Sequence, residues 1–245
     1  MDELKDRIAS LERNLTVFYL RQIEELSTLR TQISRLDFQP SSDNKLTTIT
    51  YQQFLESVER LQSTSFPPQA LLNHPTLTDD AIIAVVATDG SRKEVQGKPF
   101  ASSSAIFGTV SPLNLARFVL NTSSTLHPEV DAIILALQTA SKNSIKNILV
   151  VSDSHSALKF LACSLIPITS SIELQNTLSK HPDLADQATA IRNLLHNFDF
   201  IGIRWQKSHT SLTFDIFAEL NQTADSWARN KVDEIAATYF SSANN

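Results

Sequence analysis

Two runs constrain this chain most, "IIAVVATD" at 82–89 and "NILVVSD" at 147–153. Each is a continuous aliphatic stretch without polar alternation, closed by an aspartate. A strand that is apolar on both faces needs a layer over each face, which points to a sheet covered by helices. The closing aspartates pose the functional question. A carboxylate at the end of a buried strand is costly unless it is paired or ligated, and strand ends beside helix starts are where α/β sites collect.

The surrounding elements agree with a mixed sheet. "PFASSSAIFGTV" (99–110) and "NLARFVLNTSS" (114–124) read as two strands that continue the first as an antiparallel meander around Ser111-Pro112. Residues 127–143 read as a helix with Pro128 in its first turn. A strand is expected at 146–154, a helix at 154–165, and interrupted helix at 171–197. A fifth strand at 199–207 and a last helix at 219–240 complete the order. The expected fold is α/β, a five-stranded mixed sheet with helices on both faces, over residues 81–240.

Ahead of it, residues 1–36 step through apolar positions at helical spacing (Leu4, Ile8, Leu11, Leu15, Phe18, then Leu26, Leu29, Ile33, Leu36). That stripe suits a coiled coil, and so a homo-oligomer or a protein partner, or else a helix docked on its own domain. Residues 37–80 read as linker and lead-in, with a short helix at 50–63 and an extended stretch at 66–80.

Composition excludes several classes. A net charge of -5 argues against a protein that coats nucleic acid non-specifically, yet leaves room for a local basic groove. The single cysteine, Cys163, excludes an internal disulfide framework and a cysteine-rich zinc module, and its apolar helical setting makes it a core residue. No apolar run approaches the ~18 residues of a membrane span, and no secretory signal opens the chain. A cytoplasmic or nuclear location is expected.

Four carboxylates stand at unusual places: Asp89, Glu129, Asp153 and Asp225. Taken singly, each has a plain explanation. Asp89-Gly90 forms a turn, Asp153-Ser154 starts a helix, Glu129 suits a helix N-terminus, and Asp225 lies on a solvated face. Taken in order, the segments "TDGS", "HPEVDAIILAL", "VVSDSHSALKFL" and the late Trp, His, Asn and Ala-Asp residues resemble type 1 ribonuclease H. The closest likeness in style is to the ribonuclease H domains of non-LTR retroelements.

That resemblance implies an endonuclease that hydrolyses the RNA strand of RNA–DNA hybrids with two Mg²⁺ or Mn²⁺ ions. It places the metal-binding acids at Asp89, Glu129, Asp153 and Asp225, and the family's late histidine at His209. Hard cations suit carboxylate ligands, and two such ions serve both ends of an in-line phosphodiester displacement. Ser91, Arg92, Ser154, His155 and Asn221, all close to the acids in sequence, are the candidate substrate contacts. Recognition through 2′-hydroxyls and helix shape is expected. The family's Thr-Asn-Asn type run before its glutamate is "SSTLHPE" here, and the glycines after its first strand are reduced to Gly97. Those differences leave open a catalytically weak or inactive interaction protein that assembles through residues 1–36, or a nuclease of the same fold with another substrate.

Overall fold

The computed structural model describes residues 46–120, 124–166, 171–208 and 215–243. The helix expected over 1–36 lies outside the described residues.

The chain opens with strand β1 (Thr48–Thr50) and helix α1 (Tyr51–Arg60). Thr50 caps α1 in a reciprocal box: its Oγ1 accepts from the Gln53 N–H, and Gln53 Oε1 accepts from the Thr50 N–H. β2 (Gln69–Asn73), β3 (Ile82–Val95), β4 (Lys98–Ile106) and β5 (Leu115–Val119) follow. Then come α2 (Leu126–Lys142), β6 (Asn147–Ser152), α3 (His155–Ser164) and α4 (Ile172–Lys180). A 3₁₀ turn at Pro182–Leu184, α5 (Ala185–Leu195), β7 (Phe200–Trp205) and α6 (Ile216–Ala243) complete the fold. No helix among the described residues is long and apolar enough to cross a membrane.

The sheet runs β2-β7-β6-β3-β4-β5, with β1 paired to the start of β3. β3, β6 and β7 are parallel and central; β4, β5 and β2 join antiparallel. Alternation along the central strands splits the core in two. Val86, Ile148, Val150, Ile201 and Ile203 pack under α2, α3 and α5, with Ile133, Leu137, Leu158 and Ile191. Ile83, Val85, Ala87, Leu149, Val151 and Phe200 pack under α1 and α6, with Phe54, Leu220 and Ala224. The expected mixed sheet with helices on both faces is therefore what forms.

Two expectations need correction. The sheet has seven strands rather than five, because the lead-in supplies β1 and β2. Just before β1, the Thr47 N–H donates to the Phe107 carbonyl, just past β4, at 2.7 Å. Phe54 of α1 is buried and meets Phe200 edge-on at 5.2 Å between centroids. Residues from 48 onward are therefore part of the folded unit. Second, Asp89 does not close its strand. β3 continues through it to Val95, and the reversal falls at Gln96-Gly97 (φ 51° and 74°), a two-residue hairpin loop closed by the Val95–Lys98 pair.

The lead-in's role predicts that Phe54→Ala costs about 3–5 kcal/mol, as for other buried aromatics cut to alanine. Urea unfolding measures it. A loss below about 1 kcal/mol would return α1 to the status of an appendage.

Candidate metal centre

The last parallel pair of β3 and β6 is Ala87 with Val151. Beyond it β6 ends at Ser152, while β3 runs on against β4. The site lies in the opening this leaves. Asp89 sits on β3 two residues past the last pair, with the parity of Val85 and Ala87, and is 5% exposed. Asp153 follows β6 directly.

Glu129 comes from α2, which approaches β3 very closely at Gly90. A Cβ built on Gly90 would lie 2.3 Å from the Glu129 backbone nitrogen and 2.4 Å from the Pro128 carbonyl carbon. Glycine is therefore required here by contact, since backbone atoms cannot swing aside. The Gly90 N–H donates to Glu129 Oε2 at 3.1 Å, so the carboxylate continues the hydrogen bonding of β3 where β6 stops.

One oxygen from each of Asp89, Glu129 and Asp153 lies within 4.8 Å of the others. Three hard, anionic donors at that separation fit a divalent cation of the Mg²⁺ or Mn²⁺ type. Asp225, on α6, is outside that triad. Its Oδ1 is held by the Arg229 Nε at 2.7 Å, one helical turn on. Its charge nonetheless reaches the other acids. Burial first, then Asp153 and Asp225, push the Asp89 carboxyl up to about 8, while Arg229 pulls it partly back. Burial, then Asp89, hold Glu129 well above the usual carboxylate range, against the opposing Gly90 hydrogen bond.

The surroundings fix the Asp153 backbone. The Trp205 Nε1–H donates to the Asp153 carbonyl at 2.9 Å, and the Gln206 N–H donates to the Ser152 carbonyl at 2.9 Å. In the sequence, Trp205 is only one landmark of the family resemblance. The signal for its role is an indole at the end of a buried strand, which needs an acceptor.

The other expected residues are distributed as follows. Ser154 caps α3, its Oγ accepting from the Ala157 N–H at 3.3 Å. The His155 ring is stacked on Phe66 (5.0 Å, 25°) and meets Trp205 edge-on (4.4 Å, 71°), so it is engaged in packing. Ser91 and Arg92 extend from Asp89 along β3, Arg92 exposed. Asn221 is 4% exposed, four residues before Asp225, and its buried Oδ1 has no hydrogen-bond partner. His209 lies outside the described residues. Beside the first turns of α2 and α3 opens a cavity of about 600 Å³, whose lining includes Leu126, Ser156, Lys159, Phe160, Lys180 and His181.

A reverse transcriptase-like family model matches residues 113–229, a span that holds Glu129, Asp153 and Asp225. No curated protein matches the chain. Among solved structures, the chain is similar to RNase H1 from the archaeon Halobacterium salinarum NRC-1. Identity is 19% and TM-score 0.42, over 62% of this chain and 98% of that one. It is similar to the RNase H domain of prototype foamy virus at 20% identity and TM-score 0.45, over 61% and 93% of the two chains. A third is the N-terminal RNase H domain of a Mycobacterium tuberculosis protein, solved as a fusion with maltose-binding protein. Identity there is 16% and TM-score 0.45, over 64% and 99%.

Two predictions follow from the acids' environment. With Asp89 and Glu129 raised in the fold, the folded protein holds protons that the unfolded chain has released above about pH 4. Metal-free stability therefore falls as pH rises from about 4 to about 8. Asp89→Asn should flatten that slope and raise the metal-free Tm at pH 8 by at least about 4 °C. Thermal melts across pH test this, and a wild-type Tm that climbs from pH 5 to 8 without metal would contradict it. Gly90→Ala should abolish the rise in Tm that Mn²⁺ gives the wild type, because α2 must move off β3. An undiminished rise would show that the close approach is not needed.

Proposed function

We propose that this chain is a metal-dependent endonuclease that hydrolyses the RNA strand of RNA–DNA hybrids in the cytoplasm or nucleus. Asp89, Glu129, Asp153 and Asp225 hold two divalent ions, Mg²⁺ or Mn²⁺. The meeting of Asp89, Glu129 and Asp153 from three separate elements carries the reading. The family match over 113–229 supports it. When bound, the ions supply the charge that activates a water and stabilises the departing 3′ oxygen.

The chain's own groups supply the rest. The Gly90 N–H orients Glu129, and Trp205 holds the Asp153 turn. Asp225 joins the set by giving up Arg229, whose side chain is more than half exposed and so loosely held. His209 assists proton transfer or product departure. Ser91 and Arg92 meet the substrate backbone. Lys159 and Lys180, which line the cavity, contact the substrate's phosphates. Residues 1–36 assemble the protein with itself or a partner.

Labelled RNA–DNA hybrid, RNA duplex and DNA duplex, incubated with the full chain in Mg²⁺ or Mn²⁺ beside Asp153→Asn, test the activity. The expected outcome is cleavage of the hybrid's RNA strand alone, lowered at least about 100-fold by Asp153→Asn. Equal cutting of all three would refute hybrid specificity. No cutting above the variant in either metal would leave the interaction protein as the better account. In the Asp153→Asn background, Lys159→Ala with Lys180→Ala should weaken hybrid binding and reduce the salt slope by about 2. An unchanged slope would place the substrate elsewhere.

A further inference from the structure

The run Ser102-Ser103-Ser104 in β4 is unused by the chemistry above, yet all three residues are fully buried. They pair in register with Ser91, Gly90 and Asp89. Buried hydroxyls need partners, and these three find theirs on the two helices that carry the other acids. Side chains alternate along a strand, so Ser102 and Ser104 face α6 while Ser103 faces α2.

On the α6 side, Ser104 Oγ donates to the Ala224 carbonyl at 2.7 Å and Ser102 Oγ to the Ala228 carbonyl at 2.5 Å. Those carbonyls are one turn apart, and Asp225 and Arg229 are the next residues after each. Two bonds at successive turns fix α6 against both sliding and rotation. A one-residue slip moves a helix by about 1.5 Å and 100°, which would carry Asp225 away from the acids. On the α2 side, Ser103 Oγ donates to Asp131 Oδ2 at 2.6 Å. Arg117 of β5 completes a fork on the same carboxylate, its Nε at 2.9 Å from Oδ2 and its Nη2 at 2.6 Å from Oδ1. Asp131 is two residues past Glu129.

Close packing alone does not call for hydroxyls here. Ala101 and Ala105 flank the run and are equally buried. The hydroxyls stand only where β4 lies opposite residues 89–91.

We infer that Ser102, Ser103 and Ser104 are positioning residues that set the register of α6 and α2 on the sheet and so bring Asp225 and Glu129 to Asp89 and Asp153. This rests on the reading of those acids as a metal centre. The three serines touch neither cation nor substrate.

Mn²⁺ binding to the full chain, measured by titration calorimetry beside thermal melts, tests it. Ser103→Ala and the pair Ser102→Ala with Ser104→Ala should each weaken Mn²⁺ binding at least fivefold. Ser103→Thr, which keeps the hydroxyl, should restore most of it. Phe54→Ala supplies a comparably destabilised protein with its change on α1, which carries none of the acids or serine partners, and should bind Mn²⁺ as the wild type does. If the alanine variants do not fold, Ser→Cys at the same positions, with a similar volume and a weaker donor, should show the same loss. Full affinity in the folded variants would overturn the inference. So would a loss in Phe54→Ala as large as in the serine variants, since that would mark a general effect of stability. A wild type that binds no Mn²⁺ would overturn the metal-centre reading itself, and this inference with it.

Discussion

The site depends on how near α2 comes to β3. At Gly90 the helix backbone occupies the space where a side chain would stand. The same residue's N–H turns the Glu129 carboxylate toward Asp89. Any other residue at 90 would hold the helix off, and Glu129 would lie on an ordinary helix surface. The approach is possible because β6 stops at Ser152 while β3 continues, which leaves one edge of β3 without a strand partner beside the start of α2.

That geometry is costly to the metal-free protein. Carboxylates gathered out of water repel one another and lose hydration, which is why Asp89 and Glu129 resist ionising. The core meets the cost. Two apolar layers, under α2, α3 and α5 and under α1 and α6, clamp the parallel strands from both sides. Arg229 lends partial compensation through Asp225. A cation would remove the penalty at its source, so the strain and the proposed binding are one feature.

Much of this was legible in the sequence, for identifiable reasons. The runs 82–89 and 147–153 announced buried strands because nothing polar interrupts them. The helix expected at 127–143 forms at Leu126–Lys142, since its apolar spacing and early proline are local signals. Asp89-Gly90 was misleading because an Asp-Gly pair is a strong local turn signal, while the need for glycine at 90 is tertiary. The polar "SRKEV" after it also hides a strand that has run past its helical cover. β1 and β2 are short, three and five residues, and β2 follows two prolines, so neither shows a usable period. His155 sits in a polar-looking "SDSHS", yet its ring belongs to the stack with Phe66 and Trp205. Conversely, Asp225 with Arg229 four residues on is a spacing any helix turns into an ion pair.

The central claim is that Asp89, Glu129 and Asp153 form one cation site at the end of β3. A crystal of the full chain grown with Mn²⁺ measures that directly through anomalous scattering. The account predicts a peak bounded by those three carboxylates, about 2.0–2.4 Å from their oxygens, which disappears in Asp89→Asn. A peak that persists in that variant, or manganese bound elsewhere with the three acids unliganded, would contradict it.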